Sequence, residues 1–242
     1  MQVKTHGLII REQVVGESDR LVTVLTKEEG VVRAFARRAK TLKDSKNSAT
    51  SLLCYSRLSL YKGRERYIIN EAFPVEMFFG LRRDIGALAL GQYFCSLAAE
   101  LVPEGVESSE YLRLVLNALH FLCAGTRPPA LLKPIVELRM LSISGFMPDL
   151  VACCHCGAYE ADPMAFQVQE GNIRCRACGG QGHMLSPAAL TAMRHIVYSE
   201  FGKIFSFNVS DGAGKELSAA VEAYTVQVLQ KRPPTLDFYN SL

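Results

Sequence analysis

Two cysteine pairs constrain the fold of this chain more than any other feature. Cys153 and Cys156 form one C-x2-C unit, Cys175 and Cys178 form a second, and 18 residues stand between them. Gly157 and Gly179 follow the pairs directly, which lets the backbone turn so that main-chain amides approach the thiolates. Two such knuckles supply four soft ligands to a tetrahedral ion, so residues 151–183 are expected to form a ribbon holding one Zn2+ per chain. A shell filled by protein leaves no position for water or substrate, and the expected role of the ion is structural. Cys154, His155 and His183 are spare donors in the same segment. A redox dithiol is the competing reading, but thioredoxin-like chemistry uses one pair at a helix N-terminus, and a doubled pair fits a ribbon better. Cys54, Cys95 and Cys123 are scattered on apolar segments and read as small core residues.

Charge is the second constraint, because it is placed rather than merely abundant. Residues 31–66 hold ten basic and two acidic side chains, a local charge of +8, whereas the whole chain carries +3. The rest of the chain is therefore net acidic, and a basic surface on a near-neutral body points to a polyanion. If 31–39 is a strand, its two-residue period puts Arg33, Phe35 and Arg37 on one side and Val32, Ala34 and Ala36 on the other. Residues 52–61 repeat the pattern, with Leu53, Tyr55, Arg57 and Tyr61 opposite Leu52, Cys54, Leu58 and Leu60. Rings on which bases stack, beside cations that track phosphates, are the recipe for binding single-stranded nucleic acid. The plainer alternative for any one of these residues is a solvated strand face. The expected DNA-binding set is Arg33, Phe35, Arg37, Arg38, Lys40, Lys43, Lys46, Tyr55, Arg57, Arg64 and Arg66.

Taken in order, residues 6–15, 19–27, 31–39, 52–61 and 66–73 read as strands separated by turn signals at Gly16, Gly30 and Gly63. Five short strands with a basic, aromatic face suggest an OB-fold barrel over 1–78. The polar segment 40–51 reads as a mobile basic loop beside that face. From residue 81 onward the apolar period becomes helical, predicting helices near 84–101, 109–124 and 130–144, with Ser108 or Ser109 as a cap. His120 falls on this apolar stripe and reads as a packed or capping histidine. Beyond the ribbon, Ser186-Pro187 opens a helix to about residue 201, and 215–231 forms another, ended by Pro233-Pro234. The expected fold class is α+β multidomain: an OB-fold β-barrel (1–78), then an all-helical domain (79–150 and 184–242) with an inserted four-cysteine zinc ribbon (151–183).

Several function classes drop out. Gly212-Ala213-Gly214-Lys215 resembles a phosphate loop only superficially, because Val209 stands where that loop needs glycine and Glu216 where it needs Ser or Thr. A nuclease would need clustered carboxylates for Mg2+, and the basic stretch holds only Asp44 and Glu65. The expectation is a protein that is not an enzyme. No apolar run suits a signal peptide or a membrane span, so a cytoplasmic, nucleoid-associated protein is expected. A hydrophobic content of 49% with 21% charged residues excludes a disordered chain.

With these residues laid out, the chain resembles the bacterial RecO family of recombination and repair proteins over essentially its full length. The resemblance rests on Gly16-Glu17-Ser18-Asp19-Arg20-Leu21, Thr26, Glu29 and Gly30, followed by the basic strand. It continues through Leu81-Arg82-Arg83-Asp84, the 137–145 segment, Gly145-Phe146, Pro148-Asp149-Leu150 and the Cys153/Cys156/Gly157 knuckle. One departure is local: many members carry a Lys-Gly-Ala-Arg-like turn where this chain reads Arg37-Arg38-Ala39-Lys40. The resemblance implies binding of single- and double-stranded DNA, annealing of complementary strands and assistance to RecA loading in recombinational repair. It implies RecR, RecF and the single-stranded DNA-binding protein as partners. A zinc-ribbon adaptor that binds only protein is the alternative.

Overall fold

The computed structural model describes residues 2–39, 46–63 and 66–242. They divide into two compact units, one comprising the N-terminal residues through Thr126 together with Pro234–Leu242, the other Arg127–Pro233.

The first unit is built on five strands, β1 (Gln2–Val15), β2 (Asp19–Thr26), β3 (Val31–Ala36), β4 (Tyr55–Lys62) and β5 (Tyr67–Glu76). They close in the order β1-β2-β3-β5-β4, with every neighbouring pair antiparallel except β3 and β5. This is the expected OB-like barrel. The alternation in β3 survives folding: Val32, Ala34 and Ala36 are fully buried while Arg33 is exposed. Val22, Val24, Leu58, Leu60 and Ile69 fill the same interior. Each such aliphatic side chain contributes roughly 1.5–3 kcal/mol by leaving water.

The family-motif residues hold the barrel's turns. Thr26 Oγ1 donates to the Gly30 carbonyl at 2.7 Å and accepts from the Glu29 amide at 3.1 Å, stapling the β2–β3 turn. Gly30 has φ +64°, and a Cβ there would fall 2.0 Å from the Pro103 carbonyl oxygen. Only glycine lets residues 103–105 pair with this turn. Arg20 reaches Asn47 O at 2.7 Å, Asn47 Oδ1 at 3.1 Å and Thr50 Oγ1 at 3.2 Å. It thereby anchors a one-turn helix, α1 (Lys46–Ala49), whose Ala49 is buried. The expected mobile loop is corrected on this point: 46–51 is packed and hydrogen-bonded, because Arg20 satisfies its polar groups. Residues 40–45 lie outside the described ones.

Two further expectations are corrected. Leu52–Cys54 forms a turn, not the start of β4; Leu53 adopts φ +63° and is buried rather than facing outward. Strand β3 ends at Ala36, so Arg37 and Arg38 sit in an exposed turn. Arg38 takes φ +55°, the left-handed region, and its amide donates to Asp19 Oδ1 at 2.8 Å. Arginine therefore holds here, under strain, a left-handed backbone that glycine adopts freely. A non-glycine residue there costs about 1–2 kcal/mol, partly offset by the roughly 0.5–1 kcal/mol that a glycine's extra freedom in the unfolded chain would cost. Arg38→Gly is accordingly expected to raise stability by about 0.5–1 kcal/mol in a urea titration.

Helix α2 (Ile85–Leu101) packs on the barrel, with α3 (Ser109–Ala124) and α7 (Pro234–Asn240) beside it. Tyr93 and Phe94 of α2 are fully buried. Asp84 caps α2, accepting from Gly86 N at 2.8 Å and Ala87 N at 3.1 Å, which accounts for the acid in the Leu81–Asp84 motif. Ser108 occupies the cap position of α3, but its hydroxyl donates to the Val106 carbonyl at 3.0 Å instead of capping. His120 is exposed on α3, edge-on to Phe121, rather than packed in the apolar stripe. The short α7 was not legible from the sequence, since Pro233-Pro234 reads as a stop and not as a restart.

The second unit contains α4 (Pro129–Ile143), α5 (Pro187–Tyr198), α6 (Asp211–Leu229) and a three-stranded sheet of β6 (Met164–Gln167), β7 (Asn172–Cys175) and β8 (His183–Leu185), ordered β7-β6-β8. Lys133 is buried between Glu137 and Glu222, 2.9 Å from each, and Arg232 holds Glu222 at 2.7 Å. Burial pushes the Lys133 pKa down, but the two carboxylates more than offset it and leave it raised. Gly212 to Lys215 lies within the first turns of α6, capped by Ser210, in agreement with its exclusion as a phosphate loop.

Candidate metal centre and nucleic-acid interface

The Cys153–Ala158 turn and the β7 end bring the four expected cysteines together. The sulfurs of Cys153, Cys156, Cys175 and Cys178 all lie within 4.8 Å of one another. A tetrahedral ion with metal–sulfur bonds of about 2.3 Å sets its sulfurs about 3.8 Å apart. Cys156 Sγ and Cys175 Sγ are 3.8 Å apart. Gly157 and Gly179 take φ +73° and +74°, the left-handed turns the knuckles require. The Cys156 and Cys175 amides, with that of His155, hold the Cys153 thiol down to about 6, whereas Cys178, crowded by Cys175 and Cys156, is pushed up to about 12. Four sulfurs this close cannot all be thiolates at neutral pH without a cation among them. The donor set, spacing and amide hydrogen bonds fit a closed four-thiolate metal site, and it is the one cluster of metal-ligating side chains found among the described residues. Cys154, His155 and His183 lie outside it; Cys154 Sγ faces Gln167 Oε1 at 3.7 Å.

The ribbon is tied to its own unit by arginine. Arg194 of α5 donates to the carbonyls of Leu150 at 2.7 Å, Val151 at 3.0 Å and Tyr159 at 2.7 Å. Its guanidinium also lies 4.1 Å from the Tyr159 ring centroid. Of the scattered cysteines, Cys54 and Cys95 are buried in the core, and burial pushes the Cys95 thiol up to about 12, whereas Cys123 is only half-buried on α3, short of the core position expected of it.

On the barrel, the expected DNA-binding residues separate into two groups. Strands β3 and β4 are not neighbours, because β5 runs between them. Arg33 and Arg66 line one cavity of about 330 Å3, with Leu21, Lys62, Tyr67 and Glu104. Tyr67 OH donates to Glu29 Oε2 at 2.9 Å, and Lys62 Nζ lies 5.3 Å from the Tyr67 ring centroid and 3.7 Å from Glu29. Beside this cavity Phe35 and Tyr61 flank Ile68 in one cross-strand row, and Tyr61 is 48% exposed. Arg37 and Arg38 are exposed on the adjoining turn, and Lys46 is half-buried on α1. Tyr55 and Arg57 lie further along the barrel, on the β1–β4–β5 side. Lys40, Lys43 and Arg64 lie outside the described residues. Lys62 and Tyr67 escaped the residue list, although Lys62 stands in the basic stretch; the signal was its position at the end of β4, opposite Tyr67.

Comparison with known proteins addresses the family. The family model for the Recombination protein O N terminal matches residues 1–78, and that for the Recombination protein O C terminal matches residues 82–237. The chain belongs to the RecO family. A DNA repair protein RecO of Acetivibrio thermocellus is 32% identical over 243 residues, covering 99% of this chain and 97% of that protein. RecO proteins of Symbiobacterium thermophilum and Dehalococcoides mccartyi (strain CBDB1) are 30% and 28% identical, covering 98% and 99% of this chain and 96% and 95% of their own lengths. In RecO terms, the Gly16–Gly30 motif residues act here as architecture: Asp19, Arg20, Thr26 and Gly30 hold turns. Among the described residues no helix is long and apolar enough to cross a membrane.

Proposed function

We propose that this chain is a DNA-binding recombination mediator of the RecO type. The observation that carries the reading is the cavity in which Arg33, Lys62 and Arg66 converge beside the exposed Tyr61 ring and the half-buried Phe35 on an OB-like barrel. The three cations neutralise phosphates and release counterions, while Phe35 and Tyr61 offer surfaces on which bases stack. Holding the backbone without reading base edges leaves Watson–Crick edges free, which is what annealing complementary strands needs. The activity is non-enzymatic. It takes single- and double-stranded DNA, supports RecA loading in the cytoplasm, and by family likeness works with RecR, RecF and the single-stranded DNA-binding protein.

The ion at the cysteine cluster is Zn2+, the metal whose closed tetrahedral sites most often use four thiolates. Cys153, Cys156, Cys175 and Cys178 hold it, and its part is to fix the ribbon. A titration of a short labelled oligonucleotide against salt tests the function. With three cations at the site, log K is expected to fall with log salt at a slope of about −2. Absent or salt-insensitive binding would reject the reading and favour an adaptor that meets only protein.

A further inference from the structure

The second group of outward residues on the barrel is not used by the site just described. His6 of β1 pairs with Arg57 of β4, which pairs with Phe73 of β5, so the three side by side form one row across three strands. The Arg57 guanidinium lies 5.2 Å from the Phe73 ring centroid, and Phe73 is 43% exposed, so the ring and the cation above it are open to a ligand. The Tyr55 ring, one outward position along β4, lies 6.0 Å from that of His6. Lys4, His6, Arg57, Phe73 and the acidic Glu71 line a cavity of about 360 Å3. Exposed rings interleaved with cations present the same chemistry as the first site: faces for bases, charges for phosphates.

Two facts separate this face from the first. Lys62 and Arg57 are five residues apart on β4, about 17 Å along the strand. Lys4, Ser59 and Glu71 form the row of this second cavity nearest Lys62, and the Glu71 carboxylate in that row interrupts a continuous phosphate track between the two. We propose that the β1–β4–β5 face is a second subsite for single-stranded nucleic acid, able to hold one strand while another lies against Arg33 and Arg66. The inference rests on the reading of the barrel as a nucleic-acid binder. Two strands held on one small barrel meet at high effective concentration, each with its charge screened, and this brings complementary strands together.

The full-length protein tests this with a short labelled thymidine oligonucleotide, which cannot pair with itself. At saturation it is expected to bind two strands per chain. Lys4→Glu with Arg57→Glu should reduce this to one, change first-strand affinity by less than about threefold, and slow annealing of complementary strands about tenfold or more. Phe73→Ala, which alters no charge, should also weaken the second strand, with thermal melts confirming that each variant folds. One strand per chain in the unaltered protein would overturn the proposal. So would a Lys4/Arg57 variant that loses first-strand affinity as fully as an Arg33/Arg66 variant, since that describes a single track. If neither pair affects binding, the reading of the barrel itself falls, and the second subsite with it.

Discussion

Replacing Arg33 and Arg66 together by glutamate is expected to weaken binding of a short single-stranded oligonucleotide about a hundredfold. Both side chains line the same cavity, so both meet the same stretch of phosphates. An exposed cation contributes about 1 kcal/mol or less, and reversing its sign adds a repulsion of similar size. Two reversals therefore amount to roughly 3 kcal/mol, and each 1.4 kcal/mol is tenfold in affinity. Glu29 and Glu104 already stand beside the cavity, so added carboxylates have no surplus of cations to neutralise them. The salt dependence should become shallower by about 1.4 in the log–log slope, since two counterion-releasing contacts vanish. Fluorescence anisotropy at several salt concentrations measures both quantities. Arg33 is exposed and outside the barrel core, so the melting temperature should hardly move; unchanged affinity in a folded double variant would remove the assignment.

Cys175→Ser is expected to abolish metal retention and to cost several kcal/mol in the unit from Arg127 to Pro233. Cys175 is buried, closes β7, and its amide donates to Cys153 Sγ at 3.3 Å. Removing one thiolate leaves three ligands around an ion whose binding, in small zinc domains, supplies about 10–16 kcal/mol of apparent folding free energy. Here part of that loss is buffered by Arg194, by Phe166 packed on Tyr224 at 5.4 Å, and by the Tyr224 hydroxyl bonded to the Phe146 carbonyl at 3.1 Å. The ribbon should loosen before the helices do. Oligonucleotide affinity per folded molecule should change less than about twofold, because the Arg33 cavity belongs to the other unit. Elemental analysis of the purified protein, with melts before and after chelation, tests this. A metal-free native protein of equal stability would end the claim.

The sequence and the tertiary structure divide the explanation by the range over which each signal acts. The knuckles were legible because ligand spacing and the glycines after each pair are local, and the same holds for β3, whose two-residue period places Arg33 outside and Ala34 inside whatever lies beyond it. Ser186 similarly announces a helix start through a side chain that reaches only three residues, to the Ala189 amide. What the sequence could not reveal is which outward residues share a surface. Arg33 and Arg57 look alike in the chain, yet barrel closure pairs β3 in parallel with β5 and lays β5 between β3 and β4. That pairing is a long-range choice, made when the barrel buries Val24, Leu60 and Ile69 together, and no local periodicity encodes it. The same long-range contacts made Arg20 an anchor for α1, turned residues 46–51 from an apparent loop into packed structure, and left Arg38 holding a left-handed turn.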